Sequence, residues 1–347
     1  MNDAPPDRQL PNRQLPGGDL SRRDFLERSA SAAGVFAASG CATMPAGALD
    51  APIPAAGAEG SGAATAKPAI AISLNTSTLR GFKLAITETI DIAARAGYAG
   101  IEPWPNELDD YVKAGGDLGD LRKLLDDKGL AVTGAIAFFQ WIVDDPAARA
   151  QGLEEAKRLL ERLTTIGATH VAAPPSGPRE AVESVDLLAA AERYHDLLVV
   201  SEEFPVIPAV EVWGFRERTL KRLGQAVMVA LEAKHPRACV LPDVYHLYKG
   251  GSGLDAIALL SGKLLGGFHL NDYPAAPPRA EIQDRHRVHC GDGVAPLEKL
   301  FRDLRQIGYR GAMSIELFNP EYWKQDPFEV AKTSLEKTRR VIDKAFA

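Results

Sequence analysis

Residues 264–293 read LLGGFHLNDYPAAPPRAEIQDRHRVHCGDG, and this stretch opens with an apolar run that stops at His269. A buried parallel strand has this pattern when it presents a metal ligand at its C-terminal end. Three other apolar runs stop at an acidic residue: VIPAVE at Glu211, ACVLPD at Asp243 and AMSIE at Glu316. Four strands that each end in a ligand-type side chain predict one ring of donors around one cation.

The chain on both sides of this stretch alternates short apolar runs with amphipathic helical segments. Strands are predicted in AIAISLN, AGIEPW, LAVTGAIAFF, THVAAPP, VIPAVE, ACVLPD, LLGGFH and AMSIE. Helices are predicted near 84–96, 117–127, 146–165, 179–203, 216–234, 254–262, 296–307 and 327–345. Gly97, Gly129, Gly167 and Gly308 each stand between a helix and the next strand, where a left-handed cap is expected.

This alternation predicts an α/β fold, a (β/α)8 TIM barrel over residues 68–347. A doubly wound open sheet is the alternative, and it is disfavoured because no glycine-rich phosphate loop follows the first strand. With 46% hydrophobic residues, the chain is long enough to build one large core.

The composition bears on partners and on cysteine chemistry. The net charge is −6, so the chain has no basic field to hold a polyanion, and nucleic acid is not expected as a partner. Three cysteines, Cys41, Cys239 and Cys290, make no disulfide framework. Cys239 lies inside an apolar run and is expected to be a small core residue.

The N-terminus is predicted to be a targeting segment. Residues 21–26 read SRRDFL, a twin-arginine export pattern, and the weakly apolar stretch 29–40 is too short for a stable membrane span. Residues 1–41 are therefore predicted to be a signal peptide of a periplasmic protein, with a chance Arg-Arg pair as the alternative. Residues 38–41, ASGC, also resemble a lipoprotein cleavage box, so a lipid on Cys41 is an open alternative, and residues 42–67 are expected to be a flexible linker.

A closed barrel would bring the four strand-end residues to one rim. Glu211, Asp243, His269 and Glu316 then belong to strands five to eight and lie side by side. Three carboxylates and one imidazole suit a divalent ion, with Mn²⁺ expected first and Mg²⁺, Co²⁺ or Zn²⁺ as alternatives. Taken singly, each glutamate could cap a helix and His269 could be a core histidine.

The same residues resemble the xylose-isomerase-like barrel enzymes, the sugar isomerase and epimerase group. The resemblance is carried by VEVWG at Glu211, LPDVYH at Asp243, FHLND at His269, RVHCGDG at Arg287 and GYRGAMSIELFNPEYW around Glu316. It implies that Glu211, Asp243, His269 and Glu316 bind the metal. It also implies that His246 and Arg287 hold oxygens of the substrate. The alternatives are that His246 only supports other site residues or caps a helix, and that Arg287 is a solvated loop residue.

The implied chemistry is proton abstraction beside a carbonyl through a metal-stabilised enediolate. By resemblance Glu211 and Glu316 are the catalytic pair, and which one is acid and which is base stays open. A lyase or hydratase acting on 3-keto-glycosides would use the same metal site. An endonuclease IV-like phosphodiesterase is a further alternative because of the Asp284-Arg285-His286 triplet, as is a non-catalytic sugar-binding barrel.

The expected substrate of an exported enzyme is a free keto-sugar or a polyol-derived ketone. Trp104 and Trp213, near strand ends, are predicted to offer aromatic faces to sugar C–H groups. Glu102, at the end of the second strand, is predicted to bond a distal hydroxyl, with helix capping as the alternative. His286 and His289 are expected either to line the mouth or to be exposed in loops. A homo-oligomer is possible, but no pattern in the sequence decides the oligomeric state.

Overall fold

The computed structural model describes residues 70–183 and 185–347, and in them eight parallel strands form a ring with helices outside it. The strands are β1 Ile72–Asn75, β2 Gly100–Glu102, β3 Ala131–Val132, β4 His170–Ala173, β5 Ile207–Glu211, β6 Val240–Leu241, β7 Phe268–Leu270 and β8 Met313–Ile315. The predicted signal peptide, residues 1–41, and the predicted linker, residues 42–67, both lie outside the described residues.

The helices follow the strands in the order that a barrel requires. They are α1 Ile86–Ala96, α2 Pro105–Lys113, α3 Leu118–Asp127, α4 Pro146–Thr165, α5 Arg179–Glu183, α6 Leu187–Ser201, α7 Leu223–Glu232, α8 Val244–Gly250, α9 Leu297–Gln306 and α10 Pro327–Ala345. Short 3₁₀ turns cover Thr76–Phe82, Asp255–Leu259, Gly262–Leu264, Asp284–His286 and Tyr322–Lys324.

Regular ladders and isolated bridges together close the ring. One ladder runs β3-β2-β1-β8-β7 and the other runs β4-β5-β6. A parallel bridge from Ile136 to Ala172 joins the segment after β3 to β4, and a bridge from Asp243 to His269 joins the end of β6 to β7. The predicted TIM barrel is confirmed, and all strand C-termini face one rim.

The glycine caps follow the sequence prediction. Gly97, Gly129, Gly167 and Gly308 have φ of 90°, 67°, 77° and 74°, in the left-handed region that closes a helix. The pattern missed α2 and α8, because α2 buries only Leu108 and α8 is seven residues long. The segment predicted as a helix near 254–262 forms two 3₁₀ turns instead.

The core lies mostly between the ring and its helices. A smaller cluster fills the ring interior with Ile136, Ala172, Ala209, Cys239 and Leu241. Cys239 is 5% exposed, as expected for a core residue. Within the described ranges, no helix combines the length and apolar character that a bilayer crossing requires.

Candidate metal centre and substrate cavity

His269 stands at the centre of the rim, with both ring nitrogens buried. Its Nε2 lies 3.1 Å from a carboxylate oxygen of Glu102, which fixes one edge of the ring. Its Nδ1 has no hydrogen-bond partner. That nitrogen faces carboxylate oxygens of Glu316 at 3.5 Å, Glu211 at 3.7 Å and Asp243 at 4.0 Å.

The strand register brings these four side chains together. Glu211 is the last residue of β5, and Asp243 pairs across a parallel bridge with His269. Glu316 follows β8, and its N–H donates to the carbonyl of Leu270 in β7 over 2.9 Å. All four residues are buried. The structure therefore brings Glu211, Asp243 and Glu316 around His269, and the ligand atoms of Asp243, His269 and Glu316 form the mutually close group, with Glu211 at its side.

This cluster has the geometry of a shared cation site. Separations of 3.5–4.0 Å from His269 Nδ1 are too long for hydrogen bonds. They approach the roughly 3.5 Å expected between two ligand atoms that share a tetrahedral divalent ion at about 2.1 Å. Ligand atoms of Asp243, His269 and Glu316 all lie within 4.8 Å of one another. The lone Nδ1 would complete its bonding through such an ion.

The concentration of negative charge in the cluster also favours a bound cation. Burial raises the pKa of Glu316 to about 7 and also raises that of Glu211. Burial opposes a charge on His269, but Glu102 and Glu316 outweigh it and raise the imidazole pKa well above its usual value. Without a metal, protons must relieve the repulsion between these carboxylates. A divalent ion would replace those protons.

Arg287 provides the permanent positive charge of the site. It is 1% exposed, and its Nη1 donates to Asp243 over 3.0 Å and to Glu316 over 2.7 Å. Its other arm donates to Asp284. Arg287 lines the cavity at the mouth, where the sequence predicted a contact with substrate, and it also holds two carboxylates of the candidate metal site in place.

Glu102 lies beneath the cluster and does not line the cavity at the mouth. Its carboxylate contacts His269 and accepts a bond from Asn75 Nδ2 over 2.9 Å. Gly134 makes room for it, because a Cβ there would come within 2.6 Å of the Glu102 carboxylate. This position favours orientation of His269 over the predicted contact with a distal hydroxyl, since metal-binding histidines commonly donate their other N–H to a carboxylate.

Above the cluster is a cavity of about 210 Å³ with an aromatic wall. Trp104 and Trp213, both predicted here, line it together with Phe138, Phe215 and Phe318. Neighbouring rings are close: 5.4 Å separates the centroids of Trp104 and Phe138, and 4.6 Å separates those of Trp213 and Phe215. The cavity therefore combines an anionic floor with apolar faces suited to sugar C–H groups.

His246 also lines this cavity, as predicted. It is 3% exposed, its Nδ1 has no partner, and its Nε2 lies 3.4 Å from an Nη of Arg287. Burial, followed by the charge of Arg287, lowers its pKa well below the usual value, so the ring is neutral. A neutral imidazole at this place can donate a hydrogen bond to a substrate oxygen or accept one from it.

Three polar residues of the site were not predicted to take part in it, and Asp284 was considered only for the phosphodiesterase alternative. Asn75 bonds Glu102 and Trp104, Asn271 donates to Asp243 over 2.9 Å, and Asp284 holds Arg287. Asn75 is the last residue of β1. The search for acidic residues and histidine at strand ends would have included it if amide side chains had been counted. Asn271 comes two residues after His269, but Asp284 lies in a loop whose course no sequence pattern gives.

His286 and His289 differ in position. His286 lines an open groove with Lys249. His289 is neither exposed nor at the mouth, because it is 4% exposed, stacks on Tyr322 at 4.0 Å and contacts the hydroxyl of Ser334. The Asp284–His286 pair expected of an endonuclease IV-like site does not join the candidate metal site, since Asp284 holds Arg287. His170, the one histidine in the first four strands, cannot supply a further ligand, because it starts β4 and lies at the opposite end of the ring.

A TIM barrel with three acids and a histidine clustered at its rim points to one class of protein, and sequence comparison identifies the family. A family model described as xylose isomerase-like TIM barrel matches residues 90–341. The match covers most of the chain, so this chain belongs to that family.

Individual relatives differ in the reactions that their names give. An inosose isomerase from Bacillus velezensis is 26% identical over 267 residues, which is 75% of this chain and 93% of that protein. A 3-dehydroshikimate dehydratase from Pseudomonas putida is 24% identical over 258 residues, which is 72% of this chain and 37% of that protein. The crystal structure of IolI protein with a zinc atom matches 80% of this chain and all of its own, with a TM-score of 0.71 and 23% identity.

Proposed function

We propose that this protein is a divalent-metal-dependent isomerase or epimerase of a keto-sugar or polyol-derived ketone. One observation carries the proposal: the unpartnered Nδ1 of His269 faces Glu211, Asp243 and Glu316 at the floor of an aromatic cavity. The name of the inosose isomerase relative, a protein that acts on a cyclic polyol ketone, supports this substrate class.

Glu211, Asp243, His269 and Glu316 would hold the ion. When bound, a divalent cation stabilises the negative charge that develops on oxygen as a carbon-bound proton leaves. Mn²⁺ is our first candidate because three of the four donors are carboxylates, and the zinc in the solved relative makes Zn²⁺ the strongest alternative.

The protein side chains would move the proton and orient the substrate. Glu211 and Glu316 both line the cavity, so either can take a proton from carbon and the other can return one. Arg287 and His246 lie beside them, where a charged donor and a neutral imidazole can fix neighbouring substrate oxygens. The aromatic wall would offer apolar faces to the C–H groups of the substrate.

A lyase acting on a keto-glycoside is the second candidate. Loss of a proton next to a ketone can expel a group from the adjacent carbon, and the same glutamates and the same cation would serve that reaction. The dehydratase relative favours this alternative, because its name gives an elimination.

Solvent deuterium exchange separates these outcomes. The metal-loaded protein is incubated in D₂O with free ketoses, inososes and 3-keto-glycosides, and products are read by NMR. Deuterium at one carbon without loss of a group supports the isomerase or epimerase, and release of the aglycone supports the lyase. Glu316→Gln should abolish exchange, whereas Glu321→Gln, at an exposed residue paired with Lys324, should not. Full exchange by Glu316→Gln would refute the mechanism.

We further propose that the protein is exported folded by the twin-arginine route to the periplasm, on the strength of the SRRDFL motif alone. Replacement of Arg22 and Arg23 by Lys should retain the precursor in the cytoplasm, as fractionation would reveal. Mass spectrometry of the exported form would decide between cleavage and a lipid on Cys41. An unchanged distribution of the double variant would refute this proposal.

A further inference from the structure

A second, larger cavity lies beside the mouth. Its volume is about 620 Å³, and its walls are the 3₁₀ turn Thr76–Phe82, the start of α1 and one side of α2. The indole of Trp104 belongs to the walls of both cavities. The two cavities therefore adjoin at Trp104.

Arg80 lines the second cavity and stacks on two rings of the mouth. Its guanidinium carbon lies 3.7 Å from the centroid of the Trp104 ring and 5.4 Å from that of Phe318, and both rings line the mouth. Among the described residues, no carboxylate lies within ion-pair distance of Arg80. Its N–H groups are thus free to bond a ligand, and the stacked indole holds the guanidinium plane.

The turn that carries Arg80 is rigidly attached to the barrel. Thr78 Oγ1 donates to the carbonyl of Ile315 over 3.0 Å and accepts from the N–H of Leu317 over 3.1 Å. Gly81 leaves the space that the Trp323 ring fills, and Trp323 Nε1 donates to the carbonyl of Thr78. A donor held in this way loses little entropy when it binds a ligand.

The charges of the second cavity balance. Arg80 and Lys83 face two acids, Glu107 and Asp110. Glu107 accepts bonds from Thr76 and from the backbone of Trp104, and Asp110 pairs with Lys113. Donors and acceptors without net charge, beside an indole, suit a neutral polyhydroxylated group better than a phosphate or a carboxylate.

The sizes of the two cavities support the same conclusion. Binding pockets for organic ligands usually measure about 300–1,000 Å³. The mouth, at about 210 Å³, is below that range, while the second cavity lies within it. The mouth has room for the reacting ring, and the larger space remains for whatever that ring carries.

We propose that the second cavity is a subsite for a neutral sugar ring attached by a glycosidic bond to the ring that reacts at the mouth. Arg80 is the residue that determines this specificity, through hydrogen bonds to hydroxyls of the second ring. The inference rests on the proposed function for the orientation of the substrate, since the reacting ketone is taken to lie over the metal site.

Binding measurements test this subsite without relying on turnover. The probes are 3-ketoglucose and a 3-keto-cellobiose with the ketone on its non-reducing ring, titrated into the full-length metal-loaded protein by calorimetry at low temperature. We expect the disaccharide to bind about tenfold more tightly, the effect of one or two hydrogen bonds to a charged donor.

Two variants remove the preference in different ways. Arg80→Ala removes the donor, and Asn106→Trp fills the cavity from α2 while leaving Arg80 on Trp104. Both should bring the two affinities together, mainly by weakening the binding of the disaccharide. Arg340→Ala, at an exposed residue of α10, is the matched control and should keep the preference.

The outcomes distinguish this inference from the proposed function. Equal affinities in the unaltered protein, a preference that survives both variants, or tighter Arg80-dependent binding of a sugar phosphate would overturn the subsite. Deuterium exchange on the monosaccharide together with equal affinities would refute the subsite alone. A disaccharide preference without exchange on any ketone would refute the proposed reaction alone.

Discussion

Glu102 lies 3.1 Å from Nε2 of His269 and so turns the other nitrogen of the ring toward three carboxylates. The two residues are 167 positions apart in the chain and meet because β2 and β7 end at the same rim. A carboxylate on the far nitrogen fixes the tautomer of a metal-binding histidine and raises the basicity of the nitrogen that faces the ion.

Weakening this contact should lower metal affinity without unfolding the protein. Glu102→Gln keeps the shape of the side chain but removes its charge, so we expect affinity for Mn²⁺ or Zn²⁺ to fall about tenfold or more. Competition with a chromophoric chelator measures this, and circular dichroism checks the fold. The exposed Glu321→Gln variant should bind metal normally, and an unchanged affinity of Glu102→Gln would show that the contact does not tune the site.

Metal should stabilise the folded protein. An ion that binds only the native state at 100 times its Kd adds about 2.7 kcal/mol to the free energy of unfolding. We expect the thermal midpoint to rise by several degrees on addition of Mn²⁺ or Zn²⁺ and to return with chelator. Asp243→Asn should abolish the shift. Asp255→Asn, at an exposed residue paired with Lys299, should retain it, and a full shift in Asp243→Asn would locate the ion elsewhere.

Acid should destabilise the fold through His289. Burial, and then the nearby charge of Lys337, lowers the pKa of His289 to about 4, against about 6.5 in the unfolded chain. The unfolded state therefore binds more protons between these values. Stability is full above pH 6.5 and decreases as pH falls toward 4, by at most about 3 kcal/mol from this residue.

Urea denaturation at a series of pH values measures this dependence. His289→Gln should flatten the slope between pH 6.5 and 4, and His286→Gln, in an open groove, should leave it unchanged. Some slope will remain because burial also lowers the pKa of His170 to about 4. A full slope in His289→Gln would contradict the assignment.

Lys234→Gly should stabilise the protein. Lys234 has φ of 52°, a left-handed conformation that is unfavourable for a residue with a Cβ, just after α7 ends at Glu232. Glycine relieves this strain, and the exposed contact with Glu232 that it removes is worth little. We expect a gain of about 0.5–1 kcal/mol in the free energy of unfolding, measured by denaturant titration.

Lys128→Gly is the comparison, at a residue whose side chain also pairs with Asp91 over 2.6 Å. Lys128 also follows a helix, but its φ is −85°, so glycine relieves nothing there and adds freedom to the unfolded chain. That variant should be less stable than the unaltered protein. Equal effects of the two substitutions would mean that backbone conformation does not decide the outcome.

The sequence by itself determined the order of strands and helices, their glycine caps and the four strand-end residues Glu211, Asp243, His269 and Glu316. It did so because apolar periodicity and strand ends are local properties, and because parallel strands of a barrel must end at one rim. The short helices α2 and α8 were not predicted, because their nine and seven residues carry little periodic signal.

Only the tertiary structure decided what each side chain contacts. It placed Glu102 behind His269 instead of at the mouth, buried His289 against Tyr322, and brought Arg287 between Asp243 and Glu316. It also created the cavity beside Trp104. Such contacts join residues from distant parts of the chain, and loop paths and side-chain packing fix them. No local pattern in the sequence carries that information.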